Sequence, residues 1–194
     1  MTLDGVIEAP GGGESFEHGG WAFEFDRGAA GNRFKLEELQ KADALLLGRV
    51  TYQGFADAWP SRTDEAGFAD KMNSMPKYVV STTLKKADWT NSTVIRRDVA
   101  EEVAELKHWH EGDILINGSP GLVRTLMDHD LIDEYRLMVF PVVLNSGKRL
   151  FGDSGRMARL RLVDATPVGP DGVIILTYEP AAKTDQGPDG DSGT

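Results

Sequence analysis

Three short stretches of this chain combine residue types that hold phosphate, and each follows an apolar run. Gly48-Arg49-Val50-Thr51 comes directly after Ala44-Leu45-Leu46-Leu47. That run reads as a buried parallel strand, and residues 49–58 read as a helix stopped by Pro60. The first N–H groups of a helix are unpaired and carry partial positive charge, which favours an anion there. Gly48 lets a ligand approach the backbone, Arg49 offers a bidentate phosphate contact, and Thr51 adds a hydroxyl. The second stretch, Asn117-Gly118-Ser119-Pro120-Gly121, follows the strand Ile114-Leu115-Ile116. Ser119 is a natural N-cap and Pro120 a natural first helical residue. Taken singly, each reads equally as an ordinary strand–helix turn. Two of them at carboxyl ends of strands in one α/β sheet suit a pyrophosphate held between two helix starts.

The third stretch is Ser81-Thr82-Thr83 after the strand Tyr78-Val79-Val80, with Lys85 and Lys86 close behind. Hydroxyls and ammonium groups there suit a ribose 2′-phosphate, hence NADPH over NADH; a plain polar strand end is the other reading. Other chemistry is poorly supplied. There is no G-x-G-x-x-G. His108 and His110 are two apart on a helix and point to different faces, so no metal site is expected. No cysteine is present, which excludes disulfides, thiolate metal sites and a cysteine nucleophile, and suits the cytoplasm.

The elements that must position these turns alternate. Helices are expected at 34–42, 49–58, 64–74, 99–110 and 120–129, with short strands between them. Asp98 and Glu101 have capping-box spacing ahead of the fourth helix. After that the rhythm changes: 134–143, 158–168 and 172–179 read as strands with no helix between, the last two closed near Pro170-Asp171-Gly172. Repeats of βα followed by antiparallel strands predict an α/β fold with a mixed sheet in three layers, helices on both faces. Residues 9–33 are glycine-rich with interspersed aromatics and read as a long loop that packs on something. Residues 181–194 have no apolar anchor and read as a disordered acidic tail, leaving one domain over 1–180.

These pieces in this order resemble the dihydrofolate-reductase-like superfamily, in the branch of the pyrimidine reductase domain of riboflavin biosynthesis. The resemblance runs from Thr2 to about Tyr178 through four pieces: Thr2-Leu3-Asp4-Gly5, Ala44 to Tyr52, Ile116 to Gly121, and Leu131 to Gly147. It implies an NADPH-dependent reductase, with Arg49, Thr51, Gly118 and Ser119 on the cofactor's phosphates and Ser81 and Thr82 near its 2′-phosphate. It places Asp4 beside nicotinamide and substrate, where a carboxyl could orient the substrate or relay a proton; a turn-capping aspartate ahead of Gly5 is the other reading. Asp26 is the candidate for the helix-borne carboxylate that binds the pterin in dihydrofolate reductase. The loop 9–33 would close over the substrate, with Trp21 and Phe23 as stacking surfaces. The superfamily carries a central strand ahead of the S/T-L-D-G element, so a first strand is expected upstream of Met1.

The 194 residues carry 21 Lys+Arg against 31 Asp+Glu, a formal net charge of −10. That balance argues against nucleic acid and anionic membrane as partners, and no apolar run is long enough to cross a bilayer. The expected substrate is a small nitrogen heterocycle or a ribosylaminopyrimidine, as for the riboflavin-pathway reductase. The competing expectation is a nucleotide-binding module that keeps the fold without catalysis. The resemblance also implies a homodimer, for which the apolar stretch Leu137-Met138-Val139-Phe140 is a second support.

Overall fold

The computed structural model describes residues 1–13, 15–152 and 157–181; the expected tail lies, from residue 182, outside them. Ala44 to Leu47 form the middle of β1 (Ala42–Gly48), and all four are fully buried. Successive side chains point to opposite faces. Leu45 and Leu47 pack with Leu39 of α1 (Gly28–Lys41), Tyr52 of α2 (Arg49–Ala58) and Met72 of α3 (Phe68–Ser74). Leu46 packs on the other face with α4 (Val99–Trp109) and α5 (Pro120–Asp128). Helices therefore cover both faces, as the order of elements predicts.

β1 pairs in parallel with β2 (Lys77–Val80) and β4 (Asp113–Leu115), and β2 with β3 (Ser92–Ile95), giving the order β3-β2-β1-β4. The remaining strands form a second, antiparallel sheet, β5-β7-β6, from β5 (Tyr135–Val139), β6 (Leu160–Val168) and β7 (Val173–Pro180). The single mixed sheet expected from sequence is thus two sheets, a parallel one ending at β4 and an antiparallel one ending at β5. The amino terminus is tied to β5. Thr2 makes an isolated parallel bridge with Phe140, the Met1 ammonium donates to the Met138 carbonyl, and Phe140 N–H donates to the Met1 carbonyl.

Four expectations change in detail. α1 begins at Gly28 rather than 34, which shortens the glycine-rich loop; Trp21–Glu24 within it form a 3₁₀ turn. α3 begins at Phe68 rather than 64, because Asp64 accepts from Phe68 N–H and Ala69 N–H and caps it from outside. Asp98 has φ 49° and makes no side-chain cap, so the capping box does not form. Leu137 and Met138, expected on a dimer face, are half-buried, with part of each side chain against the clusters of Tyr135 and Phe140 respectively.

The start of α1 sits on the β6–β7 turn. Gly28 and Gly169 both have positive φ, and a Cβ on Gly169 would lie 2.3 Å from the Asp26 carbonyl oxygen. A Cβ on Gly28 would lie 2.9 Å from Gly169 Cα, so only glycine fits either position.

Candidate active site

The two strand–helix turns singled out from sequence meet in space through one hydroxyl. Ser119 Oγ accepts the Gly48 N–H at 2.9 Å and donates to Thr51 Oγ1 at 3.1 Å. It makes no cap to its own helix, so the N-cap reading of Ser119 gives way to a cross-link between α5 and α2. The reason is conformational. Ser119 has φ 59°, outside the extended region an N-cap residue normally holds. Close contact makes the joint tight: a Cβ on Gly48 would lie 3.1 Å from Ser119 Oγ, and one on Gly118 would lie 3.3 Å from Thr51 Oγ1. Gly121, in the first turn of α5, faces open space, and Arg49 is exposed with its guanidinium on Gln53 Oε1 at 2.9 Å. Both helix starts, an exposed arginine held only by its own helix neighbour Gln53, and bare glycine backbone thus border one place. That donor set fits a pyrophosphate.

The third turn differs from expectation. Ser81 is buried, and its hydroxyl accepts from Thr83 N–H at 3.2 Å and Leu84 N–H at 2.9 Å, closing the turn instead of facing a ligand. Thr82 is exposed. Parallel pairing of Val80 with Ile95 puts the end of β3 alongside, and exposed Arg96 bonds the Lys85 carbonyl at 2.9 Å. Arg96 was missed in the sequence, although it stands just after its strand as Ser81 does.

Asp4 is a clamp. Its Oδ1 accepts from the Thr2 hydroxyl at 2.5 Å and from Leu144 N–H at 3.3 Å; its Oδ2 accepts from Asn145 N–H at 2.9 Å. Arg149 donates to the Asp4 carbonyl at 2.8 Å. The Thr2 hydroxyl, followed by the two backbone amides, holds the carboxyl below its ordinary range. A carboxylate held anionic is a poor proton donor at neutral pH, so the turn-capping reading describes Asp4. Glu8 repeats the device four residues on, accepting from Lys148 N–H at 2.9 Å. Together they stitch residues 2–8 to the segment 142–150.

The two substrate candidates are also occupied. Trp21 is buried, donates Nε1–H to the Glu8 carbonyl at 2.9 Å, and meets Phe140 edge to face at 5.4 Å between centroids. Its stacking surface is used by the core; exposed Phe23 beside it keeps a free ring. Asp26 accepts from Gly28 N–H at 2.7 Å, while its own N–H donates to Asp171 at 2.6 Å. It fastens α1 to the β6–β7 turn. Two α1 residues that sequence reading passed over face inward instead. Glu38, buried and paired with Lys35, lines a cavity of about 600 Å³ that reaches Asn117 and Gly118. The spacing of Lys35 and Glu38 on the face of Leu39 was the available signal.

The RibD C-terminal domain profile matches residues 1–174. The chain belongs to the RibD C-terminal domain family. It is 31% identical to the uncharacterised protein YyaP of Bacillus subtilis over 181 residues, 92% of this chain and 90% of that one. A Shewanella protein with a provisional riboflavin-biosynthesis name superposes with TM-score 0.72 at 20% identity, covering 93% and 95% of the two chains. Dihydrofolate reductase of Enterococcus faecalis, solved with NADP(H), superposes with TM-score 0.57 at 16% identity over 93% and 92%. This RibD-family chain therefore has the dihydrofolate-reductase-like fold expected from its motifs. Among the described residues, no helix is long and apolar enough to cross a membrane.

Proposed function

We propose that this protein is an NADPH-dependent reductase acting on a small nitrogen heterocycle or a ribosylaminopyrimidine-like substrate. The observation that carries the reading is the Ser119 cross-link, which holds two helix starts at a single place. Backbone N–H groups of Arg49 to Thr51, and of Ser119 and Gly121, would bind the two phosphates of the pyrophosphate. Arg49 would add a charge-assisted contact, and Thr82 with Arg96 would receive the 2′-phosphate. A reduced nicotinamide supplies the hydride in such enzymes. The chain's own part is to orient the substrate and to exclude water. Asp4 would act as a positioning residue, holding the segment around Leu144 and Asn145 in place, and Phe23 would cover the substrate.

Titration of the protein with NADPH and with NADH, followed by fluorescence and thermal shift, tests the reading. NADPH is expected to bind at least tenfold more tightly, and Arg49→Ala to raise its Kd about tenfold with Tm unchanged, since one charge-assisted contact is worth about 1.4 kcal/mol. An unchanged Kd in R49A refutes the phosphate assignment. A nucleotide-binding module without turnover is the second reading, favoured by the engagement of Asp4 as a clamp. It predicts the same titration with no oxidation of NADPH by any aminopyrimidine or pterin substrate.

A further inference from the structure

Lys77 opens β2 with its side chain fully buried, on the same face of the strand as the core residue Val79. An ammonium group taken out of water is costly unless its N–H groups find acceptors. Here they do. Nζ donates to the Asn73 and Met75 carbonyls at 2.8 Å each and to the Thr90 carbonyl at 3.0 Å. The Trp89 ring lies against it, with its centroid 4.3 Å from Nζ. Asn73 and Met75 stand at the end of α3, where carbonyls without a helical partner favour a cation. Burial pushes the ammonium down to about 8, so at pH 7 it keeps most of its charge and its donors.

Thr90 and Trp89 belong to the connection from β2 to β3, residues 81–91. Its near end is closed by the Ser81 hydroxyl. Its far end is closed on Lys77, Thr90 by its carbonyl and Trp89 by its ring, and Trp89 Nε1–H donates to Asn73 Oδ1 at 2.8 Å. Between the two ends the Lys85 carbonyl accepts from Arg96 at 2.9 Å and so sets where that exposed guanidinium stands. Released at one end, a loop of this length no longer fixes the place of its middle. We propose that Lys77 is a positioning residue for nucleotide selectivity: its buried ammonium anchors the far end of this loop and, through the Lys85 carbonyl, holds Arg96 where a 2′-phosphate binds. The identity of the ligand rests on the NADPH reading above; the anchor stands on the contacts of Lys77 alone. A rival route runs from Trp89 N–H to the Tyr52 hydroxyl, 3.0 Å away on α2, the helix whose start faces the pyrophosphate. The two routes predict different things. NADPH and NADH share the pyrophosphate, and only NADPH carries the 2′-phosphate. The Arg96 route therefore acts on one nucleotide and the Tyr52 route on both.

Lys77→Met nearly keeps the length of the side chain and removes its charge and its donors. Tm is a poor guide to the change, because relief of a buried charge offsets carbonyls left unpaired. Titrations with NADPH and NADH read the difference. The Kd for NADPH is expected to rise about tenfold and that for NADH to stay within about twofold. In an Arg96→Ala protein the same lysine change should raise the NADPH Kd by less than about twofold, since the two act as a unit. An equal rise for both nucleotides, no rise for either, or full additivity with Arg96→Ala overturns the assignment. Amide hydrogen exchange reads the anchor without any nucleotide. Exchange across residues 82–90 is expected to be at least about tenfold faster in Lys77→Met, with β1 at the parent's rates; unchanged exchange in the loop overturns the anchor. If the parent binds neither nucleotide, the NADPH reading fails on its own account and the exchange result still decides the anchor. Should Lys77→Met not fold, the parent decides it: a Trp89 N–H as protected as the amides of β1 supports the anchor, and one exchanging like a free peptide overturns it.

Discussion

Removing the Ser119 hydroxyl is the most informative single change. In Ser119→Ala the Gly48 N–H loses its acceptor and Thr51 loses its donor. A net hydrogen bond contributes about 0.5–1.5 kcal/mol, and a part-buried N–H left unpaired costs somewhat more. The expected loss is about 1–2 kcal/mol, or roughly 3–6 °C in Tm at this chain length. Ser119→Gly separates the hydroxyl from the backbone. It makes the same deletion but relieves a left-handed conformation that costs an ordinary residue about 1 kcal/mol, so it should lose about half as much stability. Both variants should weaken NADPH binding alike, about tenfold, because the two helix starts are no longer held in line. Thermal melts and fluorescence titrations of the three proteins measure this. A Ser119→Ala protein with Tm and Kd unchanged would refute the cross-link as the organiser of the site. A Ser119→Gly protein as unstable as the alanine variant would refute the strain argument.

Two further substitutions probe the frame around the site. The folded pKa of Asp4 lies below its unfolded value, so its contribution is present above about pH 4 and is lost as pH falls through the folded pKa. Asp4→Asn should therefore lower Tm at pH 7, with the variant and parent Tm values converging as pH falls through the folded pKa of Asp4. Gly169→Ala would place a methyl 2.3 Å from the Asp26 carbonyl at positive φ, and should cost more than about 3 kcal/mol or prevent soluble expression, as denaturant titration would report.

The parts of the fold that depend on local pattern were legible. The bounds of α2 follow from the apolar run before Gly48 and from Pro60 after it, and the two βα turns, at Gly48 and at Ser119, announce themselves by composition. What local pattern could not carry was pairing across the chain. Nothing near Ser119 says that its hydroxyl will serve residues 48 and 51 instead of its own helix; only the register of β1 with β4 decides that. Asp4, Trp21 and Asp26 have residue types fit for a site, and long-range contacts with residues 144–145, 140 and 171 turned them to structural use. The two-sheet division was hidden for the same reason, since the propensities of β4 and β5 say nothing about which edge stays open.

The contact of Gly28 with Gly169 constrains how this sequence can drift. The two positions are 141 apart in the chain, yet neither can accept a side chain while the backbones around them touch. A mutation at one is not rescued by a mutation at the other, because the obstacle is main chain on main chain. Lineages can shift this joint only by changing the length of the β6–β7 turn or the point where α1 begins. Insertions and deletions, not substitutions, are the route by which relatives would come to differ there.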